Sequence, residues 1–210
     1  RAGGEALLID PVDENTDQYV RLLNALDVKL VLAVDTHIHA DHVTALGSLA
    51  AKTDCVTAMG EATGVECVSV RFNEGEKLRV DNLHLDILYT PGHTDDSYSF
   101  LLPDRVFTGD TLLIRGTGRT DFQNGDPAAQ YDSLFGKLLT LQAGTFVYPA
   151  HDYNGMTVST IEEELLHNTM LQVGSRQAYI DKMIALELKD TELMDIAVPA
   201  NRCCGIRAAA

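Results

Sequence analysis

The sequence predicts an α/β protein with much antiparallel or mixed sheet and helices covering its outer faces. Three observations predict it. The chain opens strand, helix, strand: Glu5 to Ile9 and Leu30 to Val34 are short buried-strand candidates, and between them Tyr19, Leu22, Leu23 and Leu26 recur at helical spacing. From Thr53 to Phe107 it breaks into short β-rich runs separated by Gly, Pro, Asn and Asp, with little room for long helices. Those runs are Cys67 to Arg71, Leu83 to Leu88, Tyr98 to Leu102 and Val106 to Thr108. From Asp126 onward the signals are helical. Asp126-Pro127 reads as an N-cap followed by Pro at the first helical position, opening a helix with Tyr131, Leu134, Phe135, Leu138 and Leu139 on one face. Ser159 with Glu162 offers a capping box for another helix, and Arg176 to Leu188 a third.

A length of 210 residues without repeat, linker or low-complexity tract points to a single domain over residues 1–210. At 45% hydrophobic the chain can bury a substantial core, and no apolar run approaches the ~20 residues of a membrane span, so no membrane partner is expected. Sixteen Lys and Arg against 31 Asp and Glu leave a net charge of −15, which disfavours nucleic acid or anionic lipid as a partner. An anionic substrate then needs a local cationic pocket. Cys55, Cys67, Cys203 and Cys204 match neither C-x-x-C metal spacing nor the cysteine density of a small secreted scaffold, so reduced thiols are expected, with Cys55 and Cys67 as small apolar core residues. The opening Arg1 to Asp10 has no secretory pattern, which predicts a cytoplasmic or organelle-matrix location.

The chemistry concentrates in Asp35-Thr36-His37-Ile38-His39-Ala40-Asp41-His42, directly after the apolar run Leu30 to Val34. If the chain stays extended there, His37 and His39 point to one side, and the following loop can return Asp41 and His42 towards them. Three further segments, each after a strand-like run, carry His93 beside Pro91-Gly92, Asp110 beside Thr108-Gly109, and His151 beside Pro149-Ala150. Strand ends converge on one rim of a sheet, so these loops can complete one site. His37, His39, Asp41, His42, His93, Asp110 and His151 suffice for two adjacent metals, or for one metal surrounded by hydrogen-bonding groups. Two His and one carboxylate on one face suit non-haem Fe(II), whereas fuller ligand sets suit hydrolytic zinc. His84 and His167 lack neighbouring ligands and read as structural or exposed, and Gly116-x-Gly118 is not a dinucleotide fingerprint because no helix with a third Gly follows.

His37-x-His39-x-Asp41-His42, Gly92-His93, Gly109-Asp110 and Ala150-His151 together resemble the signature of the metallo-β-lactamase superfamily. The resemblance implies a four-layered αβ/βα sandwich of two mixed sheets flanked by helices. The flanking segments Thr108 to Gln123, Tyr148 to Tyr153 and Val198 to Asn201 resemble, more narrowly, the persulfide dioxygenases (sulfur dioxygenases), the group that includes the ethylmalonic encephalopathy protein. The similarity runs from Ala6 to Gly205. Relatives begin further upstream, so the first N-terminal strands are expected to be missing from this chain or not shown. Some relatives carry Cys where Thr117 stands and Arg where Cys203 stands; the role of Cys203 and Cys204 is left open.

The resemblance implies one Fe(II) per chain, with glutathione persulfide and O2 as partners and glutathione and sulfite as products. Its iron ligands are His37, His93 and Asp110, with His39, Asp41, His42 and His151 forming a hydrogen-bonding layer around them. A homodimer is implied, in the cytoplasm of a bacterium or the mitochondrial matrix of a eukaryote. Arg119 is then the candidate cation for a glutathione carboxylate, with Asp121 and Tyr153 beside it as substrate-binding residues; a salt bridge from Arg119 to Asp121 that stiffens the Gly116 to Gly118 loop is the alternative and does not exclude the first. Tyr153 is placed to donate to substrate or to a ligand-bound oxygen as a catalytic group. The alternative is a glyoxalase II-type glutathione thioester hydrolase with a dinuclear zinc site. A third reading is a non-catalytic metal-binding protein on the same fold.

Overall fold

A computed structural model describes residues 3–153, 155–189 and 193–206. Arg1 and Ala2, the first residues of the opening segment searched for a secretory pattern, lie outside the described residues. In chain order the elements are β1 (Glu5–Ile9), α1 (Thr16–Ala25), β2 (Lys29–Val34), α2 (Leu46–Thr53), β3 (Val56–Gly60), β4 (Val70–Phe72), β5 (Lys77–Val80) and β6 (Leu83–Tyr89). There follow β7 (Tyr98–Leu102), β8 (Arg105–Gly109), β9 (Leu112–Leu113), β10 (Gly116–Thr117) and α3 (Pro127–Gly136). The chain continues through β11 (Phe146–Pro149), β12 (Ser159–Thr160), α4 (Ile161–His167), α5 (Arg176–Ile184) and α6 (Met194–Asn201). Two compact units emerge: Arg1–Asn73, Leu78–His84 and Lys189–Ala210 form the first, Glu74–Lys77 and Leu85–Leu188 the second.

In the first unit, β1-β2-β3-β4 pair in that order, and all three pairings are parallel. Strand β2 lies between two neighbours, so Leu30, Leu32, Ala33 and Val34 are all buried and its sequence is one continuous apolar run rather than an alternation. The opening strand, helix, strand reading therefore holds, but only part of the helix's apolar face is covered. Leu23 packs into the core, whereas Leu22 and Leu26 are 53% and 57% exposed. Tyr19 is partly buried, and its hydroxyl accepts from the Val12 N–H. The core of this unit joins Leu23, Leu30, Ile38, Leu46, Leu49, Cys55 and Met59.

Two cysteine expectations need correction. Cys67 is exposed rather than in the core, and it is joined to Cys204 by a disulfide whose Cα atoms stand 5.9 Å apart. Cys55 is buried as expected, and Cys203 is an exposed free thiol.

In the second unit, β11 runs parallel to β8, β12 and β7 flank that pair antiparallel, and Asp86–Tyr89 of β6 pairs antiparallel with β7. Helix α3 starts as expected: the Asp126 carboxylate accepts from the Ala128 N–H, with Pro127 in the first turn. The cap of α4 is displaced by one residue. Thr160 accepts from the Glu163 N–H, while Ser159 belongs to β12 and donates to Glu164 at 2.6 Å. Helix α5 begins at Arg176 under a Ser175 cap but stops at Ile184, short of Leu188. Val106, Leu112, Leu134, Leu138, Val147, Ile161 and Tyr179 form the core of this unit. Among the described residues no helix is long and apolar enough to cross a membrane.

Candidate metal centre

Where β2 ends, the chain bends through residues 35–45 instead of staying extended. The bend still brings the first motif together, with ring centroids 4.1 Å apart for His37 and His39 and 4.2 Å for His39 and His42. A carboxylate organises it from β1. Asp10, one residue past β1 with φ of 51°, accepts from the Thr36 N–H at 2.7 Å, the Thr36 hydroxyl at 3.0 Å and His39 Nε2 at 3.1 Å. Since the Thr36 proton goes to Asp10, the 2.9 Å contact between Thr36 Oγ1 and His37 Nδ1 is donated by the ring. His37 Nε2 then carries the lone pair. By the same reasoning His42 donates Nδ1–H to Asp41 at 3.2 Å, and its lone pair lies on Nε2.

Asn201, at the end of α6, closes the loop from the other side. Its amide donates to the His39 and His42 carbonyls, both at 2.8 Å, and its oxygen accepts from the Thr44 N–H at 2.8 Å. Beneath these groups Asp35 is buried, and burial pushes its carboxyl up to about 7. In this unit His39, Asp41 and His42 form one group able to offer ligand atoms within 4.8 Å, and Asp10, Asp35 and His39 form another. His39 belongs to both. A site of the second kind would draw on a carboxyl whose ionisation is opposed by burial.

In the second unit, His93 follows β6, Asp110 follows β8 and His151 follows β11, each on the loop its sequence position predicts. His93 donates Nδ1–H to the Arg119 carbonyl at 2.7 Å, which leaves the lone pair on Nε2. That atom stands 3.6 Å from Asp110 Oδ2. The separation is long for a hydrogen bond, so the two atoms face each other without one satisfying the other. His151 donates Nδ1–H to the other Asp110 oxygen at 2.8 Å, so one carboxylate is steadied through Oδ1 while Oδ2 faces His93. Imidazole nitrogen beside carboxylate oxygen is a donor set that fits a first-row metal.

Gly118 lies against these groups. A Cβ there would fall 2.0 Å from the Asp110 carbonyl oxygen and 3.0 Å from the His93 ring, so no side chain fits. The next residue, Arg119, holds Asp121 with bonds of 2.6 and 2.7 Å, and its guanidinium carbon sits 4.1 Å from the Phe122 ring centroid. The guanidinium holds the Asp121 carboxyl below its ordinary value. Tyr153 is 75% exposed, its ring stacked on His151 with centroids 5.7 Å apart. His84 and His167 are both exposed. The sequence pointed to neither Asp10 nor a role for Asp35 and Asn201, although Asp35 opens the first motif. For Asp10 a signal existed, an acid ending the strand-like run Glu5 to Ile9; Asn201 stood in a quoted segment without a role.

The sequence profile of the metallo-beta-lactamase superfamily matches residues 1–151. The chain is 42% identical to the mitochondrial persulfide dioxygenase ETHE1 of Mus musculus over 210 residues, 99% of this chain and 82% of that protein. The crystal structure of ETHE1 from Myxococcus xanthus superposes with a TM-score of 0.94 at 49% identity, covering 96% of this chain and 89% of that one. A hydroxyacylglutathione hydrolase of Idiomarina loihiensis is 30% identical over 168 residues, 80% of this chain and 64% of that protein.

Proposed function

The chain belongs to the metallo-beta-lactamase superfamily and, within it, to the persulfide dioxygenases, and from that premise we propose that it oxidises glutathione persulfide at a single ferrous centre. Glutathione persulfide, O2 and water give glutathione and sulfite. The near full-length likeness to persulfide dioxygenases carries this reading. The thioester hydrolase likeness covers less of both proteins, and the full set of candidate ligands weighs against a non-catalytic role.

We take His37, His93 and Asp110 as the ligands of that ion, the set that kinship with the persulfide dioxygenases implies. The hydrogen bonds support that assignment, because both imidazoles are committed through Nδ1 and present Nε2. When bound, Fe(II) supplies open coordination positions where sulfur and dioxygen react. His39 is held by Asp10 and His42 by Asp41, while His151 steadies Asp110. These residues keep their superfamily positions as a hydrogen-bonding layer. Arg119, already levelled by Asp121 and Phe122, presents the cation for a glutathione carboxylate, and Tyr153 stands exposed beside His151 to donate to substrate. We place the protein as a homodimer, in the cytoplasm of a bacterium or the mitochondrial matrix of a eukaryote.

An oxygen-electrode trace with glutathione persulfide, run beside elemental analysis of the same sample, tests the reading. One iron per chain with rapid O2 uptake is expected. Two zinc ions with thioester cleavage and no O2 uptake would overturn it in favour of the hydrolase.

A further inference from the structure

Helix α3 carries one fully buried polar side chain, Gln130, and both ends of its amide are used. Nε2 donates to the Gly118 carbonyl at 2.9 Å, and Oε1 accepts from the Tyr179 hydroxyl at 2.8 Å. Tyr179 is itself buried, and its phenol is pushed upward by burial, so at neutral pH it remains a donor. The Gly118 carbonyl can only accept, so it fixes the amide NH2 on its side and leaves Oε1 facing the Tyr179 hydroxyl, which also lies 3.3 Å from Thr117 Oγ1. The peptide so gripped leads directly to the Arg119 carbonyl that receives the His93 Nδ1–H.

The same helix braces His93 from the preceding residue. Gly92 has φ of 141°, and a Cβ on it would lie 2.3 Å from the Gln130 Cα. Asp126 donates its N–H to the Gly92 carbonyl at 2.9 Å, and Ser133 donates its hydroxyl to Pro91 at 2.7 Å. Neither Gln130 nor Tyr179 reaches Asp110 or His93 through any of these bonds. Their effect passes through backbone.

We infer that Gln130, oriented by Tyr179, is a positioning residue that holds the Gly118-Arg119 peptide where it fixes His93 as the Nδ1–H tautomer, with Nε2 aimed at the metal. The inference deepens the iron-centre reading and rests on it. Binding geometry would then be set by a helix that contributes no ligand.

The test uses the full chain as Gln130→Leu and Tyr179→Phe. Zinc affinity is measured by chelator competition, and histidine tautomers of the metal-free protein by long-range 1H–15N correlation. Wild type should show a single Nδ1–H form at His93. Gln130→Leu should show mixed tautomers and a zinc affinity lower by about 10- to 100-fold. Tyr179→Phe should move both readouts the same way by less. A variant that melts earlier yet keeps wild-type zinc affinity and His93 resonances would reduce Gln130 to a packing residue and overturn the inference. If Gln130→Leu does not fold, Tyr179→Phe decides alone, and wild-type values in it count against the proposal. Failure of the iron-centre reading shows separately, as wild-type His93 resonances that do not respond to added metal.

Discussion

Arg119 acts at both ends of one residue. Its carbonyl accepts the His93 ring N–H, while its guanidinium lies in a fork with Asp121 over the Phe122 ring. The second arrangement matters because the chain carries a net charge of −15, and long-range attraction cannot gather an anionic tripeptide. A planar cation levelled against an acid and a ring loses little freedom when a carboxylate arrives. Arg119→Ala removes a charged hydrogen-bonding group but keeps the carbonyl. We expect KM for glutathione persulfide to rise by about 10- to 100-fold, equivalent to about 1.5–3 kcal/mol, with metal content unchanged. Arg119→Lys should recover only part of the loss, because a single ammonium cannot reproduce the fork. Steady-state kinetics beside metal analysis checks this, and an unchanged KM removes Arg119 from the substrate site.

At the scale of elements, one helix end secures the bend that bears the first motif. Asn201 of α6 satisfies the carbonyls of His39 and His42 and the N–H of Thr44. Asn201→Leu leaves two buried backbone groups, the His39 carbonyl and the Thr44 N–H, and the part-buried His42 carbonyl without that partner, the buried ones each worth about 1–3 kcal/mol. We expect urea unfolding to show a loss of at least about 2 kcal/mol. Asn201→Asp is the sharper control, since a carboxylate accepts from Thr44 but donates to neither carbonyl. If Asn201→Asp is as stable as wild type, the two donated bonds contribute nothing. The contrast between elements shows what the sequence makes legible. Strand β7 falls at Tyr98–Leu102 and α3 begins after Asp126, as local alternation and capping indicate. Helix α6 has no side-chain cap and holds Pro199 inside it, so no local signal marked it. The ligand-type residues were legible because their chemistry is rare and their spacing tight. Asn201 was not legible as a brace, because its partners lie 157 to 162 residues away and an asparagine has many ordinary uses.

For the whole molecule the same distance argument applies to the cysteines. Spacing showed no pair, yet Cys67 and Cys204 are bonded across a sequence separation of 137. The loop so closed contains Glu74–Lys77 and Leu85–Leu188, the whole of the second unit, while both sulfurs belong to the first. Cys204 lies three positions beyond Asn201 and is in the core cluster of its unit, and its carbonyl accepts from the Gly47 N–H at 2.9 Å. The link thus ties the segment after α6 to the body of the first unit, beside the bend that Asn201 holds. Closing a loop of that length restricts the unfolded chain, and its loss typically costs about 2–4 kcal/mol. For a chain of this size that corresponds to a Tm lower by roughly 5–15 °C. Thermal unfolding with and without reductant should show that difference, and Cys67→Ser should melt like the reduced protein whatever the reductant. Cys67 is the better site for the substitution because it is exposed, so the change carries little packing loss. In urea without reductant only Cys55 and Cys203 should react with a thiol reagent, rising to all four cysteines after reduction. Four reactive thiols before reduction, with a Tm indifferent to reductant, would mean that the C-terminal segment is held by Asn201 and its neighbours without the covalent tie.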